Sequence, residues 1–312
     1  MKRMQNQAKS VSNRTWREKM TYVKKNWQLY LFFLMPGLLL TIIFKYLPMG
    51  GLLIAFEDYN VIKGVLGSPW VGLEYFRRFL SSPDFMSYLM NTLKLSIYGL
   101  LWGFPVPIIL ALRLNRIRKT GIKKKVQLLI YMPNFISVIV LCGMVRMFLS
   151  PVGPMNKVLG ISTNWMTMPS AFRTIYIASG IWQAAGWASI MYTAALSNAS
   201  KELEEAALMD GANLLQQIWY VELPAIKNII VIQFILQAGN IMSIGFEKAY
   251  ALQTDMNLPA SEILSTYVYR IGLLNGDYGY STAVGLFNSV VNVILLVFVN
   301  WVVQKLNDGE GL

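Results

Sequence analysis

The sequence lacks histidine entirely and contains a single cysteine, Cys142. Without histidine the chain cannot form a Ser-His-Asp triad, use an imidazole as a general acid or base, or build a His/Cys metal site. One cysteine also excludes a disulfide within the chain. These absences remove most enzyme classes, and we predict a non-catalytic protein with no metal or cofactor of its own.

Charged residues are also scarce. They make up 14% of the chain, against about 25% in soluble domains, while 55% of the residues are hydrophobic. This composition predicts a membrane protein. The formal net charge of +12 does not indicate a nucleic-acid partner, because 15 of the 28 basic residues lie in two short segments, 1–28 and 113–125.

The chain contains several long stretches with few charged residues. A helix of about 20 apolar residues crosses the roughly 30 Å hydrocarbon layer of a bilayer. We therefore predict an all-α fold with one membrane domain, 29–303, and six transmembrane helices, at approximately 29–47, 91–112, 126–149, 174–197, 225–245 and 283–303.

The basic segments predict the orientation in the membrane. Segment 1–28 carries eight Lys/Arg against one Glu, and segment 113–125 carries seven with no acid, so both belong in the cytoplasm by the positive-inside rule. Alternation then places the tail, 304–312, in the cytoplasm as well. We expect 1–28 to be a basic segment held near anionic lipid.

The loop at 198–224 departs from this rule. Alternation makes it cytoplasmic, yet it carries five acids and one base. Two short apolar stripes on either side of Gly211 predict a helix-turn-helix, and we expect Pro224 to start the next transmembrane helix.

The same loop contains a recognisable motif. Glu205-Ala206-Ala207, three residues, Gly211, nine residues and then Val221-Glu222-Leu223-Pro224 resembles the EAA-x3-G-x9-I-x-LP loop of the permeases of binding-protein-dependent ABC importers, with Val in place of Ile. The stretches FFLMPGLLLTIIFKYLPMGGLLIAFEDYN (32–60) and WVGLEYFRRFL (70–80) are similar to the oligosaccharide branch of the sugar permeases.

This resemblance implies the type I ABC importer permease fold in a bacterial inner membrane. It also implies a second homologous permease subunit, two copies of a cytoplasmic ATPase and an external solute-binding protein. The chain has no G-x4-GK-[ST] loop, so ATP and Mg²⁺ would bind the partner ATPase. The residues expected to couple to that ATPase are Glu205, Ala206, Ala207, Gly211, Leu223 and Pro224.

A sugar is bound by aromatic faces and by amides that hydrogen-bond its hydroxyl groups. When positions are counted from the EAA motif, the substrate-pathway residues of the similar maltose permeases fall at or near most of the aromatic and amide side chains in spans three to five. We predict pathway roles for Trp182, Gln183, Trp187, Gln237, Asn240 and Asn134. There are three alternatives. The tryptophans could belong to an interfacial belt, the amides could form hydrogen bonds between helices, or the partner permease could build most of the sugar site.

Basic residues outside the two cytoplasmic segments allow two interpretations. Lys94, Arg146, Arg173 and Arg270 either extend toward water or form an electropositive outer vestibule. The vestibule would suit an acidic oligosaccharide, such as a fragment of alginate or pectin. A permease for a polyol or glycerol phosphate is an alternative function within transport, and a structural or sensor membrane protein is one outside it.

Cysteine labelling tests the predicted topology. In a Cys142→Ser background we expect Ser10→Cys, Thr120→Cys and Asp308→Cys to be shielded from an impermeant reagent in intact cells, because these positions are cytoplasmic. Val65→Cys and Asp255→Cys should react from outside. External labelling of Thr120→Cys would contradict the orientation.

Overall fold

A computed structural model describes residues 25–197, 201–242 and 244–306. Most of the predicted basic segment 1–28, the start of the acidic loop and the end of the tail lie outside these ranges. Within the described ranges the chain is mainly helical. The β-structure found there is an isolated bridge between Glu57 and Trp70. The all-α prediction is confirmed.

The α-helices, numbered in chain order, are α1 Trp27–Phe33, α2 Met35–Thr41, α3 Gly64–Gly67, α4 Glu74–Leu80, α5 Phe85–Gly103, α6 Pro105–Asn115, α7 Thr120–Tyr131, α8 Val138–Phe148, α9 Pro154–Leu159, α10 Pro169–Ser197, α11 Lys201–Met209, α12 Leu214–Gln217, α13 Leu223–Gly239, α14 Phe246–Leu252, α15 Leu258–Ser261, α16 Leu264–Tyr269 and α17 Tyr278–Leu306. The π-helical segments are Ile42–Tyr46, Ile218–Glu222 and Arg270–Leu274, and the 3₁₀ segments are Leu47–Phe56, Met132–Phe135 and Trp165–Thr167.

Within the described ranges, four helical stretches are long and apolar enough to cross a membrane. They contain or overlap the predicted first, second, fifth and sixth spans, and they run over Met35–Phe56, Phe85–Asn115, Leu214–Gly239 and Tyr278–Lys305. The predicted third span corresponds to Thr120–Phe135 and Val138–Phe148, a pair that is bent by 97°. Counting that pair as one span gives five.

The predicted fourth span lies in α10, a single helix of 29 residues. At 1.5 Å per residue it is about 44 Å long, more than enough to cross a bilayer. It is less apolar than the other spans because Ser, Gly, Gln and Thr interrupt it. Small residues allow close packing between helices: a Cβ at Gly186 would overlap the backbone carbonyl of Ile130 in α7.

Two predicted boundaries are wrong. The fifth span was expected over 225–245, but its helix begins at Leu214 and ends at Gly239. Pro224 is the second residue of α13, as expected for the start of the span, but helical structure already precedes it in α12 and the π segment. It is tolerated there because the preceding π segment, Ile218–Glu222, changes the hydrogen-bond register at the point where proline has no N–H to donate.

The fourth-span helix lies at the centre of the packing. Helix α10 packs against α5, α6, α7, α13 and α14. Its C-terminal half contributes Tyr192 and Leu196 to an apolar cluster with Ala111 and Ile226, and its N-terminal half contributes Phe172 to a cluster with Cys142. Cys142 is buried in that cluster as a small apolar side chain.

Candidate functional site

The acidic loop forms the expected helix-turn-helix. Helices α11 and α12 are separated by a turn at Gly211, whose φ of +75° lies in the left-handed region that favours glycine. Asn213 and Gln216 cap α12 reciprocally through a capping box. The turn therefore has a fixed geometry that depends on the residues of the motif.

The motif residues are presented on the surface of this loop. Glu205, Ala206 and Gly211 are exposed, and Ala207 is half-buried. Apolar side chains surround them: Met209 is 88% exposed and Leu215, Trp219 and Tyr220 are also largely uncovered. This loop therefore exposes apolar side chains together with an acid and two small residues.

Behind this surface the loop is attached to α6 by buried polar contacts. Glu222 is fully buried, and its Oε1 lies 3.1 Å from Nε of Arg116. The same oxygen accepts a hydrogen bond of 3.0 Å from Nδ2 of Asn115. Nη1 of Arg116 donates to Oε1 of Gln217 at 2.7 Å, and Nε2 of Gln217 donates to the carbonyl of Ala212 at 2.8 Å. We call these four side chains, Asn115, Arg116, Gln217 and Glu222, the loop anchor.

Sequence reasoning missed the loop anchor, although a signal was present. Glu222 stands between the apolar residues Val221 and Leu223. An acid inside an apolar stretch of helix is a signal that its carboxylate is buried against a partner. Arg116 is one of seven basic residues in 113–125, and nothing in the sequence distinguishes it from the others.

The third span is broken at Pro133-Asn134. The chain leaves α7 through the 3₁₀ segment Met132–Phe135 and turns into α8. Nε2 of Gln183 donates a 2.8 Å hydrogen bond to the carbonyl of Ile136, which the break leaves without a helical partner. The ring of Phe135 contacts that of Trp187 edge-to-face at 5.6 Å. Gln183 and Trp187 therefore both adjoin the break.

A cavity of about 400 Å³ lies between α5, α6, α10, α13 and α14. Glycines of α5 and α10 line it, and the polar residues in its lining are Tyr176, Gln183, Gln237 and Lys248. Two of the predicted pathway residues, Gln183 and Gln237, are thus brought together. Trp187 lies on the same face of α10 as Gly180, since seven residues make about two helical turns.

The other predicted pathway residues lie elsewhere. Trp182 is 51% exposed and lines a separate cavity, formed with α8 on another face of α10. Asn240 is exposed just after α13 ends, and its Nδ2 donates to the carbonyl of Leu236 at 2.9 Å. Asn134 is half-buried in the 3₁₀ break. The structure does not gather the six residues into one site.

Three of the four basic residues considered for an outer vestibule make internal contacts. Arg270 forms a bidentate pair with Glu262 at 2.9 and 2.8 Å. Arg173 donates to Oδ1 of Asn91 at 3.2 Å, and Arg146 donates to the carbonyl of Gln253 at 2.8 Å. Burial raises the pKa of Glu262, and Arg270 opposes that shift. These arginines join residues that are distant in the sequence, or brace the segment after α14.

Comparison with known proteins gives the family. The family described as "Binding-protein-dependent transport system inner membrane component" matches residues 103–308. This chain belongs to that family. It is 42% identical over 298 residues to protein LplB of Bacillus subtilis, a match that covers 94% of this chain and 93% of the relative.

Two further matches point in the same direction. The polygalacturonan/rhamnogalacturonan transport system permease protein YteP of Bacillus subtilis is 41% identical over 302 residues, covering 95% of this chain and 94% of that protein. A crystal structure of a bacterial ABC transporter involved in the import of the acidic polysaccharide alginate contains a chain that is 36% identical, with a TM-score of 0.85, covering 93% of this chain and 99% of that one.

The predicted resemblance and the ABC importer permease fold are therefore confirmed. As a member of this inner membrane family with several membrane-crossing helices, the chain is a multi-pass membrane protein. The matched residues, 103–308, include the acidic loop, the loop anchor and most of the cavity lining.

Substitutions test the loop anchor. Removing one partner of a buried ion pair costs about 3–5 kcal/mol because the other charge stays buried and unpaired. We expect Glu222→Ala to lower the thermal midpoint of the purified protein strongly, whereas the exposed Glu202→Ala has little effect. The double variant Arg116→Met/Glu222→Met should recover most of the loss. A normal midpoint for Glu222→Ala would show that the contact is dispensable.

Proposed function

We propose that this chain is one of two permease subunits of an ABC importer for an acidic oligosaccharide. The observation that carries the proposal is the acidic loop, in which the EAA motif forms a helix-turn-helix with an exposed face and a buried attachment to α6. Its partners would be a second homologous permease, two copies of a cytoplasmic ATPase and an external solute-binding protein.

The energy for transport would come from the ATPase. The sequence contains no phosphate-binding loop of the G-x4-GK-[ST] type, so ATP and Mg²⁺ would bind the partner. Glu205 would face a basic residue in a cleft of the ATPase, and Ala206, Ala207 and Gly211 would allow close approach. This role requires the loop and both chain termini to be cytoplasmic, in agreement with the distribution of basic residues.

Movement of the ATPases would reach the spans through the loop anchor. Because Arg116 is at the end of α6 and Glu222 is at the start of the fifth-span helix α13, a displacement of the loop must carry both elements with it. Rocking of the spans between inward-open and outward-open arrangements is the alternating-access cycle expected of such importers.

The substrate class is supported by the relatives' names. One is a polygalacturonan/rhamnogalacturonan permease, and another belongs to an alginate importer described as acting on an acidic polysaccharide. The identities of 41% and 36% cover nearly the whole chain in both cases. We therefore favour an acidic oligosaccharide over a polyol or glycerol phosphate.

Within this chain we propose that the cavity face of α10 contributes to the substrate pathway. Gln183 and Gln237 supply amides for sugar hydroxyl groups, and Trp187 supplies an aromatic face next to them. Asn134 lies in the adjacent break, and Asn240 lies beyond the end of α13. Trp182 stays a predicted pathway residue, although it lines the other cavity.

Loop variants test the coupling to the ATPase. In the assembled transporter, we expect Glu205→Lys and Gly211→Trp to abolish the ATP hydrolysis that loaded binding protein stimulates, because they place a like charge or a bulky ring in the contact. Gly211→Asn should keep most of the activity, since asparagine tolerates positive φ. Glu202→Lys is the matched charge control.

Normal stimulated hydrolysis in both Glu205→Lys and Gly211→Trp would refute the assignment of the loop. Retained membrane insertion, measured as the amount of protein in the membrane fraction, separates lost coupling from lost folding.

Tryptophan variants test the pathway. Losing an aromatic contact of about 1.4 kcal/mol corresponds to about a tenfold change, so we expect Trp187→Ala to lower ATP-driven oligosaccharide uptake into proteoliposomes about tenfold without reducing assembly. Trp301→Ala, an exposed tryptophan near the end of α17, is the control. A large loss in Trp182→Ala but none in Trp187→Ala would move the pathway to the other face of α10.

A further inference from the structure

Lys248 is a buried cation that neither the motif nor the coupling mechanism uses. It lies in the short helix α14, is 8% exposed and lines the cavity beside Gln183 and Gln237. Lys248 falls between the predicted fifth and sixth spans, 225–245 and 283–303, where a lysine would be solvated. The structure instead packs α14 against α10 and α8, which carries the lysine into the bundle.

The ammonium is held by groups that stabilise a cation. Nζ donates a hydrogen bond of 2.7 Å to the backbone carbonyl of Tyr176 and lies 4.7 Å from the centre of the Tyr176 ring. An aromatic face attracts a cation, and a carbonyl oxygen accepts one of its three N–H bonds. The remaining two N–H groups are available to another acceptor.

Lys248 has no carboxylate partner in the described part of the chain. The ion pairs found there join Arg78 to Asp277, Arg116 to Glu222 and Arg270 to Glu262. A lysine without an acidic partner inside a membrane bundle is energetically costly, and such residues commonly mark the path of a substrate or ion. The missing negative charge points to an anionic occupant of the cavity.

The neighbouring helix leaves room for this arrangement. Gly180 of α10 faces the ammonium, and a Cβ at that position would lie 2.9 Å from Nζ. A larger residue there would push the lysine out of its place. The glycine therefore permits the observed position of the charge at the cavity wall.

We propose that Lys248 binds a carboxylate group of the oligosaccharide as it passes through the cavity, and so selects uronate-containing substrates over neutral ones. This inference rests on the proposed function. The amides of Gln183 and Gln237 would take the hydroxyl groups of the same sugar. A neutral sugar would leave the ammonium without a partner, and that difference supplies the selectivity.

The contact also suits a transport pathway. One charge-assisted hydrogen bond favours entry of the sugar. Among the described residues Lys248 is the one cation in the cavity lining, which keeps the site weak enough for release. Favourable entry combined with easy departure is a general requirement of permeation sites.

The test uses the complete transporter, with both permeases, the ATPase and the binding protein, in proteoliposomes. The probes are oligogalacturonates and oligomannuronates of two to four units, and their neutral methyl esters, each first shown to be retained by the binding protein. The variants are Lys248→Met, which removes the charge, and Lys248→Arg, which keeps it. Gly180→Ala displaces the ammonium, and Lys157→Met removes an exposed lysine as the control.

We expect Lys248→Met to lower uptake of the uronates by about tenfold or more, the loss of one charge-assisted hydrogen bond, with uptake of the esters unchanged. Lys248→Arg should retain part of the uronate uptake, and Gly180→Ala should lose part of it. Lys157→Met should match the parent for both probes.

Equal losses for uronates and esters in Lys248→Met would overturn the inference, because they would assign the lysine a structural role. Unchanged uronate uptake in that variant would overturn it as well. If the parent imports neutral oligosaccharides alone, the inference and the proposed acidic substrate class both fail, while the proposed role as a sugar permease stands. If it imports no oligosaccharide, the proposed function fails and the inference with it.

Discussion

The contact between Arg116 and Glu222 is the interaction on which the proposed coupling mechanism depends. It joins the acidic loop to α6 through a fully buried carboxylate and a guanidinium whose side chain is 28% exposed. Separating the two charges is costly because it leaves the Glu222 carboxylate without solvent or an ionic partner. The loop can therefore present an exposed face to another protein and still transmit force to the transmembrane helices.

Much of this architecture could be predicted from the sequence. Hydropathy located all the long helices, because a bilayer requires continuous apolar stretches of a minimum length. The EAA motif identified the loop and its turn, since the spacing places glycine where φ is positive. Pro133 marked the break in the third span. The basic segments predict the orientation of the chain in the membrane, and that orientation stays a prediction.

The pathway could not be predicted to the same depth. A list of aromatic and amide residues does not tell which face of a helix each one occupies, and adjacent positions such as Trp182 and Gln183 project in directions about 100° apart. Lys248 was missed because a helix of seven residues is too short to be recognised from hydropathy. Its burial depends on packing against distant parts of the chain, as does that of Glu222.

The most direct test of the account is whether the loop and α6 move as one body during the ATPase cycle. Spin labels at Arg113→Cys in α6 and at Trp219→Cys in the loop, in a Cys142→Ser background and in a transporter that hydrolyses ATP, would report the distance between them. We expect the same distance distribution in the nucleotide-free and ATP-bound states, and a broader, nucleotide-dependent one when Glu222→Ala is added. A shift of several ångströms between the two states of the parent would contradict the rigid link.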